Sequence, residues 1–115
     1  MNIFIWNCRG ALSPSFQSII HDMVQTHHPT IMIIMETKVC GNRAKEISNR
    51  LSFDGAIHAN NIGFFGGLWI LWDSAQAKIT ALSNAEQEIH TIVKDTFSNS
   101  SWMMSAIYAS PRYAK

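Results

Sequence analysis

Charged residues are scarce in this sequence, and they form no block of one sign. They make up 15% of the 115 residues, and the formal net charge is +1. Such a balance gives the chain no general attraction to polyanions, so affinity for nucleic acid would need a local patch. Hydrophobic residues, in contrast, make up 47% of the chain, which is enough to build the core of one domain over residues 1–115.

Cysteine and long apolar runs are equally rare. Cys8 and Cys40 are the two cysteines, and their spacing fits no zinc motif, so we expect two reduced thiols. The apolar runs are only a few residues long, and no basic segment precedes the first of them. We therefore expect neither a signal peptide nor a membrane span.

Several common catalytic motifs are missing as well. Gly66-Gly67 comes before a predicted strand rather than a helix, and no Gly-Lys-Ser/Thr follows it, which excludes a phosphate loop of the P-loop type. The sequence has no Gly-x-Ser-x-Gly turn that would present a serine nucleophile. Its five histidines have no carboxylate at a spacing that indicates a catalytic pair.

Hydrophobic patterning predicts a βαβα segment followed by a meander of strands. Residues 2–8 and 30–36 have the unbroken apolar character of buried strands. Ser13 and Pro14 are typical of the start of a helix, and His28-Pro29 is typical of its end. The remaining predictions are a short helix over residues 42–51 and strands over residues 68–72, 77–82, 87–96 and 102–108.

This order of elements predicts an α/β fold with a mixed sheet, parallel in its first part and antiparallel in its later part. A sheet of this kind needs a second layer on its open face. One interpretation is that a protein partner supplies that layer, and the excess of apolar residues supports it.

Two of the apolar runs end abruptly in a polar side chain. Asn7 follows the first run and Glu36 follows the second. If the two runs are neighbouring parallel strands, both side chains lie at the edge of the sheet where open sheets bind ligands. Glu36 is then either a Mg²⁺ ligand or a solvated carboxylate paired with Lys38. Asn7 either orients a phosphate or a ligand carboxylate through its amide, or fixes a turn by an Asx hydrogen bond.

Two further side chains could reach this edge of the sheet. Tyr108 ends the last predicted strand, so its hydroxyl is either part of the site or the polar tip of a residue at the edge of the core. Arg112 follows in the next loop, where it either meets a phosphate or stays in solvent.

Four segments of the sequence together resemble one protein family. They are WNCRG at residues 6–10, ETK at 36–38, GGLWILW at 66–72 and YASP at 108–111, with QEIH at 87–90 in addition. In order and approximate spacing they resemble the endonuclease/exonuclease/phosphatase superfamily, and in particular the endonuclease domain of plant LINE-type (non-LTR) retrotransposons. Arg9 stands where some branches have an aspartate, which fits the retrotransposon branch better than the apurinic-site repair enzymes.

The resemblance implies a two-layered α/β sandwich that cleaves phosphodiester bonds of DNA with Mg²⁺. Asn7 would match the asparagine that helps to organise the metal and phosphate site. Glu36 would match the metal-binding glutamate, and Tyr108 the active-site tyrosine near the scissile phosphate. DNA as the substrate also implies a nuclear location.

Two later motifs of that family, a Gly-Asp-Phe-Asn-like segment and a Ser-Asp-His segment, do not occur in the sequence. We therefore expect the N-terminal half of a sandwich, weak binding of Mg²⁺, and no meaningful nuclease activity from this chain alone. Two other interpretations stay open. One is an interaction module that a partner chain completes, and the other is an unrelated small α/β binding domain in which Asn7 and Glu36 are structural.

Overall fold

The computed structural model describes residues 1–59 and 66–108. Within these ranges the chain forms two helices and seven strands. No helix in them is both long enough and apolar enough to cross a membrane. In chain order the elements are β1 (Ile3–Asn7), α1 (Phe16–His27), β2 (Ile31–Met35), α2 (Gly41–Asn49), β3 (Gly55–His58), β4 (Leu68–Trp72), β5 (Ala77–Ala85), β6 (Glu88–Asp95) and β7 (Ser101–Ile107).

Four of the strands form a mixed sheet in the order β1-β2-β4-β3. β1 and β2 are parallel, and β4 runs antiparallel to both of its neighbours. The segments IMIIM in β2 and LWILW in β4 contain no polar residue, because other elements cover both faces of these central strands. The predicted α/β fold with a mixed sheet is confirmed.

The last three strands form a second, antiparallel sheet in the order β5-β6-β7, which we call the meander sheet. Along β6, fully buried residues alternate with more exposed ones, as expected for a strand with one covered face. Ile89 and Val93 are among the buried residues, and they pack against the mixed sheet. The meander therefore forms a separate layer instead of continuing the mixed sheet.

The mixed sheet lies between two hydrophobic layers. On one face, Phe16 and Ile20 of α1 and Ile47 of α2 pack with Ile34 and Trp69 of the sheet. Each fully buried side chain of this size stabilises the fold by about 1.5–3 kcal/mol. On the other face, the meander sheet is joined to the mixed sheet through Ile31, Ile33, Leu68, Ile70, Ile89 and Val93.

The boundaries of α1 differ from the predicted ones at one end. The helix begins at Phe16 rather than at Ser13 and Pro14, because the preceding residues form turns in which the Ser13 carbonyl accepts a hydrogen bond from the Phe16 amide at 3.0 Å. It ends at His27, and His28 takes a left-handed conformation with φ of 48° before Pro29. The end of the helix is thus where the His-Pro pair predicted it.

Two expectations about burial are wrong, at least in part. β1 is an edge strand rather than a buried one, and its Ile3 and Ile5 are 40% and 65% exposed. The face of the mixed sheet that we expected to be open is covered over β2 and β4 by the meander sheet of the same chain. Because Ile3 and Ile5 pair with Ile31 and Ile33 in register, they lie on that same face, beyond the part that the meander sheet covers.

Candidate functional site

The carboxyl ends of β1 and β2 meet at one edge of the mixed sheet. Asn7, the last residue of β1, pairs with Met35, the last residue of β2, and Glu36 follows directly. The Cys8 amide continues the ladder by donating to the Met35 carbonyl at 3.0 Å. Parallel pairing thus brings Asn7 and Glu36 side by side, at the end of the sheet where ligand sites of open sheets are found.

The amide of Asn7 makes two contacts within the chain. Its Oδ1 accepts a hydrogen bond from the Arg9 backbone amide at 3.2 Å, which is an Asx turn. The same side chain also hydrogen-bonds the Glu36 carboxylate. The turn occupies the side-chain oxygen, so the amide NH₂ group is left to face the carboxylate.

Glu36 is the centre of this cluster. Its carboxylate hydrogen-bonds Asn7 and Tyr108, and its Oε1 lies 3.6 Å from the Nζ atom of Lys38. The hydrogen bond from Asn7 is the largest cause that lowers the pKa of the Glu36 carboxyl, and Tyr108 and Lys38 lower it further against partial desolvation. With 23% of its side chain exposed, Glu36 is an ionised carboxylate that a ligand from solvent can reach.

Tyr108 approaches Glu36 from the other sheet. It directly follows β7 of the meander sheet, and its backbone amide donates to the Gln87 carbonyl at 3.0 Å. Burial is the largest cause that raises the pKa of the Tyr108 hydroxyl, and the negative charge of Glu36 raises it further. The hydroxyl therefore keeps its proton at neutral pH and acts as a hydrogen-bond donor.

Residues 36–38 are held against the start of β4 by backbone hydrogen bonds. The Glu36 amide donates to the Gly67 carbonyl and the Lys38 amide donates to the Gly66 carbonyl, both at 2.8 Å. Glu36 and Lys38 both adopt left-handed backbone conformations, with φ of 61° and 58°. That conformation costs free energy in residues other than glycine, and such backbone strain is typical of functional sites.

The sequence excluded the glycine pair as a phosphate loop. In the structure the two glycines lie against the segment that carries Glu36. Gly66 and Gly67 have φ of +75° and +103°, a region in which side chains are strained. A Cβ on Gly67 would overlap with the Thr37 hydroxyl, which is fully buried between the two left-handed residues. The adjacent glycines before an apolar strand were the sequence signal for this close contact.

The two thiols have different surroundings, and both are free. The Sγ of Cys8 donates to the Glu36 carbonyl at 3.6 Å, next to the cluster. Burial is the largest cause that raises the pKa of the Cys8 thiol, so it stays protonated and unreactive. Cys40 is exposed at the start of α2, where its side chain makes no capping hydrogen bond.

The fold of this chain is similar to folds among the solved structures. The fold resembles that of an AP endonuclease. The crystal structure of AP endonuclease LMAP from Leishmania major superposes with a TM-score of 0.64 over 91% of this chain, at 17% sequence identity. The match covers 39% of that chain, so the sequence spans well under half of the length of the enzyme it resembles. No protein-family model matches the sequence, and no curated protein does.

Glu36 offers the carboxylate oxygens that a hard cation prefers. Asn7 and Tyr108 turn hydrogen-bond donors toward that carboxylate and so orient it. Within residues 1–59 and 66–108, no three or more His, Cys, Asp and Glu side chains gather into a metal-binding group. Mg²⁺ needs only one or two carboxylates, since water and substrate phosphate complete its coordination. These residues therefore fit a weakly held Mg²⁺.

The structure brings three of the four predicted site residues together. Asn7, Glu36 and Tyr108 form one hydrogen-bonded cluster. The fourth, Arg112, lies outside the described residues. The sequence pointed to Gln87 only as part of the QEIH segment. The contact of its carbonyl with the Tyr108 backbone was not predicted, because no pattern in the sequence indicates it.

Proposed function

We propose that the Asn7–Glu36–Tyr108 cluster is the metal- and phosphate-binding part of a Mg²⁺-dependent DNA endonuclease, of the branch found in plant LINE-type retrotransposons. The observation that carries this proposal is the convergence of Asn7 and Tyr108, from two different sheets, on one ionised carboxylate. The fold shared with an AP endonuclease supports a DNA phosphodiester as the substrate. The four matching sequence segments support the retrotransposon branch.

Each side chain has one task in this proposal. Glu36 binds Mg²⁺, whose positive charge stabilises the negative charge that develops on the phosphate. Asn7 orients the carboxylate. Tyr108 contacts Glu36 in the free chain and, in this proposal, turns its one hydroxyl proton to a phosphate oxygen when DNA binds. We assign Arg112 to a second contact with the phosphate backbone, which suits its planar guanidinium.

We further propose that these 115 residues alone do not cleave DNA. Hydrolysis needs a group that takes a proton from the attacking water. The lowered pKa of Glu36 makes its carboxylate a weak base, and the raised pKa of Tyr108 leaves the phenol protonated. General-base catalysis alone contributes about 10²–10⁴-fold to a rate, so a cluster that only binds and orients is slow.

The metal-binding part of the proposal is tested by titrating the chain with Mg²⁺ and recording NMR shifts of the residues around Glu36. We expect weak but saturable binding in the native chain and none in Glu36→Gln, which keeps the shape of the side chain and removes its charge. Glu46→Gln is the matched control, since Glu46 is an exposed carboxylate on α2 that is paired with Arg43. Equal binding by all three proteins would contradict the assignment of Glu36.

The inactivity is tested separately, by incubating the chain with supercoiled DNA and Mg²⁺. We expect no more nicking than in a buffer control. Nicking that Glu36→Gln abolishes and Glu46→Gln preserves would show that the cluster is catalytically competent by itself. That result would refute the proposed inactivity and strengthen the proposed metal site.

A second candidate function, an interaction module, is favoured by the exposed apolar side chains of β1. Ile3 and Ile5 belong to the face of the mixed sheet that the meander sheet covers elsewhere, and they are 40% and 65% exposed. An apolar strand at an open sheet edge is a site at which another chain can pack or pair. Sedimentation velocity tests this function, because association that Ile5→Lys abolishes would support it and a monomer at all concentrations would argue against it.

A further inference from the structure

Gln87 contacts Tyr108, which follows the meander sheet, and Gly66, which precedes β4 of the mixed sheet. It sits in the turn between β5 and β6 and adopts a left-handed conformation with φ of 58°. Its carbonyl accepts a hydrogen bond from the Tyr108 amide at 3.0 Å. The backbone of Gln87 therefore fixes the position at which Tyr108 leaves the meander sheet.

The side chain of Gln87 reaches the mixed sheet instead. It is 7% exposed, and its amide group fills the space that a Cβ on Gly66 would occupy. The Gly66 carbonyl in turn accepts the hydrogen bond from Lys38, within the segment that carries Glu36. One residue thus contacts both the backbone of Tyr108 and the strand end that holds Glu36.

The backbone conformation of Gln87 and the burial of its side-chain amide are each unfavourable for the fold. A glutamine at positive φ is strained, and glycine would suit that backbone conformation better. The Gln87 Oε1 atom is buried and has no hydrogen-bond partner among the described residues, so a methionine of similar length would avoid an unsatisfied polar atom. Two costs at one position, next to a cluster of polar side chains, point to a role in the site.

We propose that Gln87 is a positioning residue that holds the Tyr108 hydroxyl of the meander sheet against the Glu36 carboxylate of the mixed sheet. This role rests on the proposed function, because it gives the Tyr108–Glu36 contact its purpose. The linkage runs from the Tyr108 backbone through Gln87 to Gly66 and then to Lys38. Removing the Gln87 side chain should loosen the backbone at Tyr108 and at Lys38, even though these residues are held by different sheets.

The test is amide hydrogen exchange by NMR in the full chain and in two variants. Gln87→Gly removes the side chain and suits the positive φ, so it is expected to fold. Gln87→Met keeps the bulk against Gly66. We expect exchange of the Tyr108 and Lys38 amides to rise roughly tenfold in the glycine variant, with the Ile70 amide in the middle of β4 unchanged. The methionine variant should restore native rates at both amides.

Three results would overturn the proposal. They are native exchange at Lys38 in the glycine variant, an equal rise at Ile70, or loss of protection in the methionine variant as well. A parallel titration with Mg²⁺ separates this inference from the proposed function. We expect Gln87→Gly to bind Mg²⁺ several-fold more weakly and Gln87→Met to bind it as the native chain does. A native chain that does not respond to Mg²⁺ would refute the proposed function, whereas the exchange rates decide the linkage in either case.

Discussion

At the scale of single residues, the cluster depends on side chains that restrain one another. Asn7 is held by its own Asx turn, and Glu36 is held by Asn7, Tyr108 and Lys38. Its neighbour Thr37 is fully buried, and the Thr37 hydroxyl has no hydrogen-bond partner among the described residues. The segment that positions the carboxylate thus contains a group whose burial is unfavourable.

Replacing Thr37 by valine should therefore stabilise the protein. The change keeps the branched shape against Gly67 and removes the unpaired hydroxyl, so we expect the free energy of unfolding to rise by about 1 kcal/mol. Urea denaturation measures this difference. Thr80→Val is the control, because Thr80 is an exposed residue of β5. A loss of stability in Thr37→Val would mean that the hydroxyl is hydrogen-bonded, for instance to a buried water.

His58 is the residue from which we expect a pH dependence of stability. Burial is the main cause that lowers the pKa of its imidazole, and the charge of Lys45 lowers it further. The neutral ring stacks edge-on with Trp69 at 5.2 Å between centroids and lies 2.9 Å from the Ser48 hydroxyl. Since the unfolded chain binds the proton more readily, this stabilisation is complete above about pH 6.5 and is lost as the pH falls below it.

Chemical denaturation at a series of pH values between about 5 and 7.5 tests this dependence. In His58→Gln the loss of stability on acidification should be smaller than in the native chain. The same substitution at His21, on the exposed surface of α1, should leave the native slope in place. Parallel curves for the native chain and His58→Gln would rule out His58 as the cause.

At the scale of elements, the site depends on the contact between residues 36–38 and the two glycines, Gly66 and Gly67, that directly precede β4. Two backbone hydrogen bonds and the close approach of Gly67 to Thr37 hold these segments together. The contact leaves no room for a side chain on Gly67. The geometry of the cluster is therefore set by backbone packing as much as by the polar side chains.

Gly67→Ala should show how much this packing contributes. It places a Cβ at φ of +103° and against the Thr37 hydroxyl, whereas Gly10→Ala places one at φ of +118° with no atom within 4 Å. We expect Gly10→Ala to cost roughly 1 kcal/mol from backbone strain alone, and Gly67→Ala to cost clearly more. Thermal or urea denaturation of both variants gives the comparison. Equal costs would show that Thr37 moves aside easily.

At the scale of the whole molecule, the two sheets are joined by one hydrophobic layer, so the two parts of the site stay in register only while that layer is intact. Ile89 of β6 is fully buried in it, whereas Ile92 of the same strand is only half-buried. The meander sheet is thus a support for Tyr108 as well as a cover for the mixed sheet.

Ile89→Ala tests the strength of this layer. We expect it to lower the free energy of unfolding by about 2–5 kcal/mol, and Ile92→Ala to lower it by much less. Hydrogen exchange should show that Ile89→Ala loosens amides of both sheets together, since the meander sheet loses its covered face and the mixed sheet loses one of its two. Loosening confined to β5–β7 would mean that the mixed sheet is stable by itself.

Much of this architecture could be predicted from the sequence, and the missing parts have physical reasons. β2 and β4 were predictable because unbroken apolar runs flanked by turn signals occur in few other settings. β3 was missed because four residues beginning with glycine carry little pattern. The separation into two sheets was missed because the sequence shows which residues are apolar and does not show which strand covers them.

The site, too, was predictable where it depends on residue type and strand pairing, and was not predictable where it depends on which elements cover a strand. The adjacency of Asn7 and Glu36 follows from parallel pairing of two strands, which the sequence predicts. The exposure of Ile3 and Ile5 does not follow, since an edge strand and a central strand can have the same composition. The role proposed for Gln87 depends on a left-handed turn and on a contact between the two sheets, and residue type predicts neither of them.

The convergence of Asn7, Glu36 and Tyr108 has a consequence for how the chain folds. Asn7 and Tyr108 lie near opposite ends of the described sequence, so the cluster is a contact of very long sequence separation. Such contacts close late, because the entropy of the intervening loop is lost before they form. A partly folded chain that has only the mixed sheet would carry Glu36 without its phenol. The hydrogen bond between Tyr108 and Glu36 should accordingly form in the last kinetic phase of refolding.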